Sequence, residues 1–235
     1  MLGKSQAKYI QSLGQKKVRD EEGVFVAEGP KIIAELLASA DANILQLYAL
    51  HDWIKANRND CNGIEVIEID ENDLTKISQM ATPNKVLAVV KKRETAESFL
   101  TKGTISLVLD TIQDPGNLGT IIRIADWFDI KQIICSRDCA DMYNPKVVQS
   151  TMGSIIRVKM LYTDIASWLE DQKDVFIYAA ALEGQNVTAM KKITEGIIVI
   201  GNESKGISSE IFELVDVKIT IPQKGRAESL NAAVA

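Results

Sequence analysis

The stretch "LDTIQDPGNLGTIIRIADWF", residues 109–128, spends Asp114, Pro115, Gly116, Asn117 and Gly119 on one loop and then sets a lone cation, Arg123, on an apolar helix. Six helical residues turn the side chain through about 600°, so Asn117 and Arg123 project within roughly 120° of one another and can address one ligand region. Two further segments hold the same kinds of group: "GNESKGIS" after "IIVI", and "PQKGRAESLNAAVA" after "VKITI". Together the three supply amides, hydroxyls, carboxylates, ammonium and guanidinium groups. A guanidinium stays charged in a protein, so the chemistry open to Arg123 is to hold or stabilise negative charge.

Any one of these loops also reads as a plain strand-to-helix turn, in which Gly and Asn take left-handed conformations and Asp or Ser caps the helix. Three loops crowded with Asn, Glu, Ser and Gly are harder to account for that way. Gly201 and Gly206 have the spacing of a phosphate loop, but Lys205 precedes the second glycine and Ile207 stands where the lysine belongs. No GxGxxG occurs, so a dinucleotide fold is unsupported. His51 is the single histidine and lies outside all three segments. Cys61, Cys135 and Cys139 make an odd count with no CxxC or finger spacing, so they read as buried thiols and no metal is expected.

Elements must hold these loops, and the pattern supplies them. In the first part "AKYIQSL" reads as a helix, "VFVAE" as a strand and "GPKIIAELLASA" as a helix begun near Pro30. Then "ILQLYAL" and "IEVIEI" read as strands, "ENDLTKIS" as a helix capped near Asp70, and "VLAVVKK" as a strand. The charged segment 91–103 reads as a junction, giving a small α/β domain at 1–95 and a second domain at 104–235. There "ISLVLD", "KQIIC", "RVKML", "VFIYAA", "IIVIG" and "VKITIP" are nearly continuous apolar runs, the mark of a mostly parallel sheet flanked by helices. Helices fit at 117–129, 144–152, 163–171 and 208–214. In such a sheet the ligand sits beyond the carboxyl ends of the strands, where all three polar loops fall.

The chain has 235 residues and a net charge of −5, which argues mildly against a nucleic-acid partner. The average hides an acid-free stretch with Lys4, Lys8, Lys16, Lys17 and Arg19, which reads as a candidate RNA-binding surface. No apolar run approaches the roughly 20 residues that cross a bilayer, and the first residues lack a signal-peptide core, so no membrane partner and a cytoplasmic location are expected.

In their order and spacing, "DPGNLGTIIRIADWF", "VIGNESKGIS" and "IPQKGRAESLNAAVA" resemble the three motifs of the SpoU (TrmH-like) RNA 2′-O-ribose methyltransferase family of the SPOUT superfamily, over residues 105–235. The segment "YIQSLGQKKVRDEEGVFVAEGPKIIAELL" resembles the start of that family's small substrate-binding domain, itself similar to a ribosomal RNA-binding protein. The resemblance implies a knotted α/β fold, a deep trefoil that periodicity does not show. It also implies transfer of a methyl group from S-adenosylmethionine to a ribose 2′-hydroxyl of structured RNA, rRNA favoured over tRNA, by a homodimer.

By the same resemblance Asn117, Arg123, Glu203, Ser229 and Asn231 form the catalytic set, with Glu203 orienting Arg123 or a backbone donor and Ser229 and Asn231 opening a final helix. Gly201, Asn202, Gly206, Ile221, Pro222, Ser229 and Leu230 match positions that hold the cofactor, with the small stretch Ala180, Ala181 and Leu182 beside them. The family's last helix is longer than the six residues that follow Ser229 here. An inactive RNA-binding module, and methylation of a base or small molecule, are the competing readings.

Overall fold

The computed structural model describes residues 2–93, 99, 101–226 and 228–235, and falls into two compact units. One comprises Met1–Glu94 with Asp141–Ile156; the other comprises Thr95–Ala140 with Arg157–Ala235. The expected junction at 91–103 falls partly on residues 94–98 and 100, outside those described.

The first unit begins with α1 (Lys4–Ser12), α2 (Lys16–Glu22), β1 (Val24–Glu28), α3 (Pro30–Ala38) and β2 (Ile44–Ala49). It continues with α4 (His51–Ala56), β3 (Glu65–Glu68), α5 (Glu71–Ile77) and β4 (Val86–Lys91). Its four strands run in the order β1-β4-β2-β3, antiparallel except for β2 with β3. Helix α3 starts at Pro30, where a missing N–H is no loss, and Asp70 caps α5 by accepting the Asp73 N–H at 2.7 Å. A core of Ile10, Leu13, Val26, Tyr48, Ile77 and Leu87 joins α1 and α5 to the sheet. Each such side chain contributes on the order of 1.5–3 kcal/mol by leaving water.

Helices α2 and α4 are absent from the sequence-derived elements. Neither carries an apolar stripe longer than two or three residues, so tertiary contacts rather than periodicity hold them.

One sequence expectation is corrected here. Arg19 is not an RNA-facing cation: it is 1% exposed and its guanidinium donates to the carbonyls of Leu13 and Gly14, both at 2.9 Å, and to Asp141 Oδ2 at 2.5 Å. A buried guanidinium needs such partners, and three inward acceptors hold it away from solvent. Lys4, Lys8, Lys16 and Lys17 are exposed.

The second unit opens with β5 (Ile105–Leu109), α6 (Pro115–Trp127) and β6 (Gln132–Ser136). The chain then passes to the first unit for α7 (Pro145–Thr151), where Val147 and Val148 are buried and the Tyr143 ring lies 4.8 Å from that of Phe25. Back in the second unit come β7 (Lys159–Thr163), α8 (Ile165–Glu170), β8 (Ile177–Asn186), β9 (Gly196–Ile200), α9 (Ser209–Phe212) and β10 (Val217–Thr220). All six strands are parallel, in the order β10-β8-β9-β5-β6-β7. Val108, Ile134, Ile177, Ile197 and Val199 form its buried centre, as the apolar runs require. Cys61, Cys135 and Cys139 are buried free thiols.

Candidate active site

From β5 the sheet grows through β6 and β7 on one side and through β9, β8 and β10 on the other. The reversal opens a crevice beyond the carboxyl ends of β5 and β9, which is where ligands bind in open parallel sheets. The polar loops meet there.

Asp114 caps α6, accepting the Asn117 N–H at 2.9 Å, and Pro115 fills the first helical position. This fixes Asn117 in the first turn. Its Nδ2 donates to Glu203 Oε1 in the loop after β9, and its Oδ1 accepts from Asn231 Nδ2 at 2.9 Å in the loop after β10. One amide therefore joins all three segments. The expected partner of Glu203 was Arg123 or a backbone donor; the bond it makes is to the Asn117 side chain.

Arg123 lies on the exposed face of α6, opposite the buried Leu118, Ile121, Ile122 and Ala125. Among the described residues it has no hydrogen bond or ion pair, so its charge is available. Ser229 is exposed and outside the hydrogen-bonded cluster. The helix expected to open at Ser229 is a turn opened at Asn231, whose Oδ1 accepts the Ala233 N–H at 2.9 Å and whose carbonyl accepts the Val234 N–H at 2.8 Å. An asparagine in that position satisfies the free N–H groups that a serine two residues earlier does not reach.

The expected cofactor residues occupy neighbouring loops. Asn202 and Gly206 exchange backbone hydrogen bonds of 3.0 and 2.8 Å, closing a tight turn. Gly206 has φ +71°, and a Cβ on Gly201 would meet the Gly206 carbonyl at 2.4 Å, so both positions need glycine. The Asn202 amide is engaged at both ends: Oδ1 accepts from the N–H groups of Ser204 and Lys205 at 2.9 and 3.1 Å, and Nδ2 donates to the Thr111 carbonyl at 2.9 Å. Asn202 thus shapes the turn with both its side chain and its main chain.

Pairing of β8 with β10 jumps from Ala179↔Lys218 to Gln185↔Ile219, so Ala180, Ala181 and Leu182 sit in the irregular stretch between. Thr220 Oγ1 donates to the Leu182 carbonyl at 2.9 Å and ties that stretch to the end of β10, just before Ile221 and Pro222. Leu182, Ile221 and Leu230 are 78%, 45% and 48% exposed, apolar surface of the kind a flat heterocycle covers.

Sequence reasoning missed one group, the loop after β6. Ser136 and Asp138 reach Thr111, and Asp110 accepts the Ser208 N–H at 2.7 Å. The available signal was that Ser136 closes a strand of the same parallel sheet. Elsewhere, His51 is exposed and lies 3.2 Å from Glu68, away from these loops. Among the described residues no cluster of His, Cys, Asp and Glu could hold a metal, and no helix is long and apolar enough to cross a membrane.

An all-parallel α/β domain whose polar loops converge at its switch point defines a ligand-binding enzyme domain. Residues 104–235 match the SpoU rRNA methylase family, and residues 4–88 match the MRM3-like substrate-binding domain. The chain belongs to the SpoU rRNA methylase family. It is 30% identical to the 23S rRNA (guanosine(2553)-2′-O)-methyltransferase RlmP of Bacillus subtilis, over 95% of this chain and 89% of that protein. Among solved structures it is similar to a protein of the TrmH family from Porphyromonas gingivalis, with 33% identity, TM-score 0.87, and 100% and 94% of the two chains covered. An rRNA methyltransferase from Sinorhizobium meliloti, solved with bound AdoMet, matches with 29% identity and TM-score 0.84, covering 100% and 92%.

Proposed function

We propose that the protein transfers a methyl group from S-adenosylmethionine to a ribose 2′-hydroxyl of RNA, with rRNA favoured over tRNA. The observation that carries this reading is the joining of Asn231, Asn117 and Glu203 at the switch point, within a chain of the SpoU family whose relative RlmP is a 23S rRNA 2′-O-methyltransferase.

The site fits the cofactor. The Gly201–Gly206 turn is closed so tightly that a Cβ on Gly201 would strike its own backbone, and Leu182, Ile221 and Leu230 offer apolar faces to an adenine. When bound, S-adenosylmethionine supplies an electrophilic methyl group and leaves as a neutral thioether, so no acid is needed for departure. Arg123 holds the ribose oxygen or its neighbouring phosphate and stabilises the charge that builds on that oxygen as the hydroxyl proton passes to water. Asn117, held by Glu203 and Asn231, fixes the loop against which the ribose sits. Lys4, Lys8, Lys16 and Lys17 take RNA phosphates on the first unit.

The working form is a homodimer. Trp127 and Phe128, at the end of the helix that carries Arg123, are 84% and 68% exposed, an apolar surface that a second copy covers. The trefoil knot of the C-terminal segment and a cytoplasmic location complete the reading. Incubation with methyl-labelled S-adenosylmethionine and either ribosomal or transfer RNA, followed by digestion to nucleosides, tests it. Label in a 2′-O-methylnucleoside from rRNA is expected; label in a base, or none, overturns the assignment.

A further inference from the structure

Thr111 carries φ +60°, a conformation that a β-branched residue adopts only when its surroundings impose it. The imposing groups are identifiable. Its N–H donates to Ser136 Oγ at 2.9 Å, its hydroxyl lies 3.1 Å from Asp138 Oδ2 and 3.0 Å from Asp110 Oδ1, and its carbonyl accepts from Asn202 Nδ2 at 2.9 Å. Ser136 Oγ in turn donates to Asp138 Oδ1 at 2.6 Å. Asp138 therefore holds Thr111 twice, directly through one carboxylate oxygen and through Ser136 with the other.

Followed onward, these bonds form one path. Asp138 leads to Thr111, Thr111 to Asn202, Asn202 by one peptide to Glu203, Glu203 to Asn117, and Asn117 to Asn231. The path crosses from the loop after β6 to those after β5, β9 and β10. Thr111 also lies three residues before the Asp114 cap, so its backbone angle sets where α6 and Asn117 begin.

We infer that Ser136 and Asp138 are positioning residues for methyl transfer, acting through Thr111 to place Asn202, Glu203 and Asn117. This rests on the proposed function. Neither side chain touches the Asn117–Glu203–Asn231 cluster, so their effect is on its geometry. A displacement of about 1 Å at Asn117 costs up to roughly 10²-fold in rate, and the part that reaches Asn202 weakens cofactor binding by a smaller factor through the Gly201–Gly206 turn.

The test compares Asp138→Ala, Asp138→Asn and Thr111→Gly, the last accepting φ +60° freely while losing the hydroxyl. Single-turnover rate at saturating cofactor, cofactor affinity by calorimetry, melting temperature and the side-chain amide NMR signals of Asn117 and Asn231 are measured on each. Asp138→Ala and Thr111→Gly are expected to lower the rate about 10- to 100-fold while cofactor affinity falls by a clearly smaller factor, and to shift or broaden both amide signals. Asp138→Asn, which keeps an acceptor, restores most of the rate. A wild-type rate with unmoved amide signals in Asp138→Ala overturns the inference, as does a parallel fall of rate, affinity and melting temperature that Asn does not rescue. Should the wild-type protein transfer no methyl to RNA, the functional reading fails, and the amide signals still decide whether the path positions Asn117.

Discussion

Asn117 donates its side-chain amide to the carboxylate of Glu203, 86 residues away, while its carbonyl oxygen accepts from Asn231. An amide is required in the middle because it must donate on one side and accept on the other.

Asn117→Asp removes the donor and faces one carboxylate with another. The single-turnover rate should fall roughly 10²-fold or more, and further than in Asn117→Ala, where no like charge is introduced. Adding Glu203→Gln to Asn117→Asp returns a donor to the pair and should recover part of the loss. Additive effects in that double-mutant cycle would show that the bond has no role in turnover.

Arg123 is exposed and unpaired among the described residues, so its replacement should cost little stability. Arg123→Ala is expected to leave melting temperature and cofactor affinity near wild type while turnover drops by roughly 10²-fold. Arg123→Lys should rescue partly, keeping the charge but losing the planar fork. A mutant that methylates RNA at the wild-type rate would remove Arg123 from the mechanism.

Two sets of basic residues near the amino terminus should behave in opposite ways. Charge reversal of Lys16 and Lys17 is expected to weaken RNA binding and flatten its salt dependence without moving the melting temperature. Arg19→Ala should instead destabilise the first unit by about 3–5 kcal/mol, because Asp141 loses its buried partner and two carbonyls lose a donor. Salt titrations of RNA affinity beside thermal melts check both; a stable Arg19→Ala protein with weakened RNA binding would return that residue to the RNA surface.

Glu28 gives a pH test. Burial raises its pKa above the ordinary 4.5, more than the hydrogen bonds from Ser78 and the Gln79 N–H lower it. With the folded value above the unfolded one, the stabilisation is full below the unfolded pKa and is lost as pH rises through the raised value. Glu28→Gln stays neutral and still accepts from Gln79. It should flatten the loss of stability above pH 4.5 and raise the melting temperature at neutral pH. An unchanged slope of melting temperature against pH would mean that Glu28 does not titrate in that range.

Gly201→Ala forces a methyl group into the Gly206 carbonyl, with backbone rather than a movable side chain in the way. The turn must open, at a cost of about 1–3 kcal/mol, and binding of S-adenosylhomocysteine by calorimetry should weaken accordingly. Wild-type affinity would place the cofactor elsewhere.

The parallel sheet was legible because buried strands leave unbroken apolar runs, whereas Asn117, Glu203 and Asn231 were picked out by the resemblance of their loops to the SpoU motifs. Arg19 was misread for a definite reason: the acceptors that bury it lie five, six and 122 residues away, and no local pattern distinguishes an inward guanidinium from an outward one. The Ser136–Asp138 contribution was hidden likewise, since a short polar loop declares no partner until Thr111 is seen to adopt φ +60°. Helices α2 and α4 are too short for a helical period to emerge.

The segment Asp141–Ile156 belongs to the first unit although it lies within the sequence of the second. A natural or laboratory recombination with a single crossover near residue 95 would therefore inherit Arg19 and Phe25 from one parent and Asp141 and Tyr143 from the other. The two halves of this chain are not interchangeable cassettes, and lineages that exchange substrate-binding domains must carry the inserted segment along or co-adapt it.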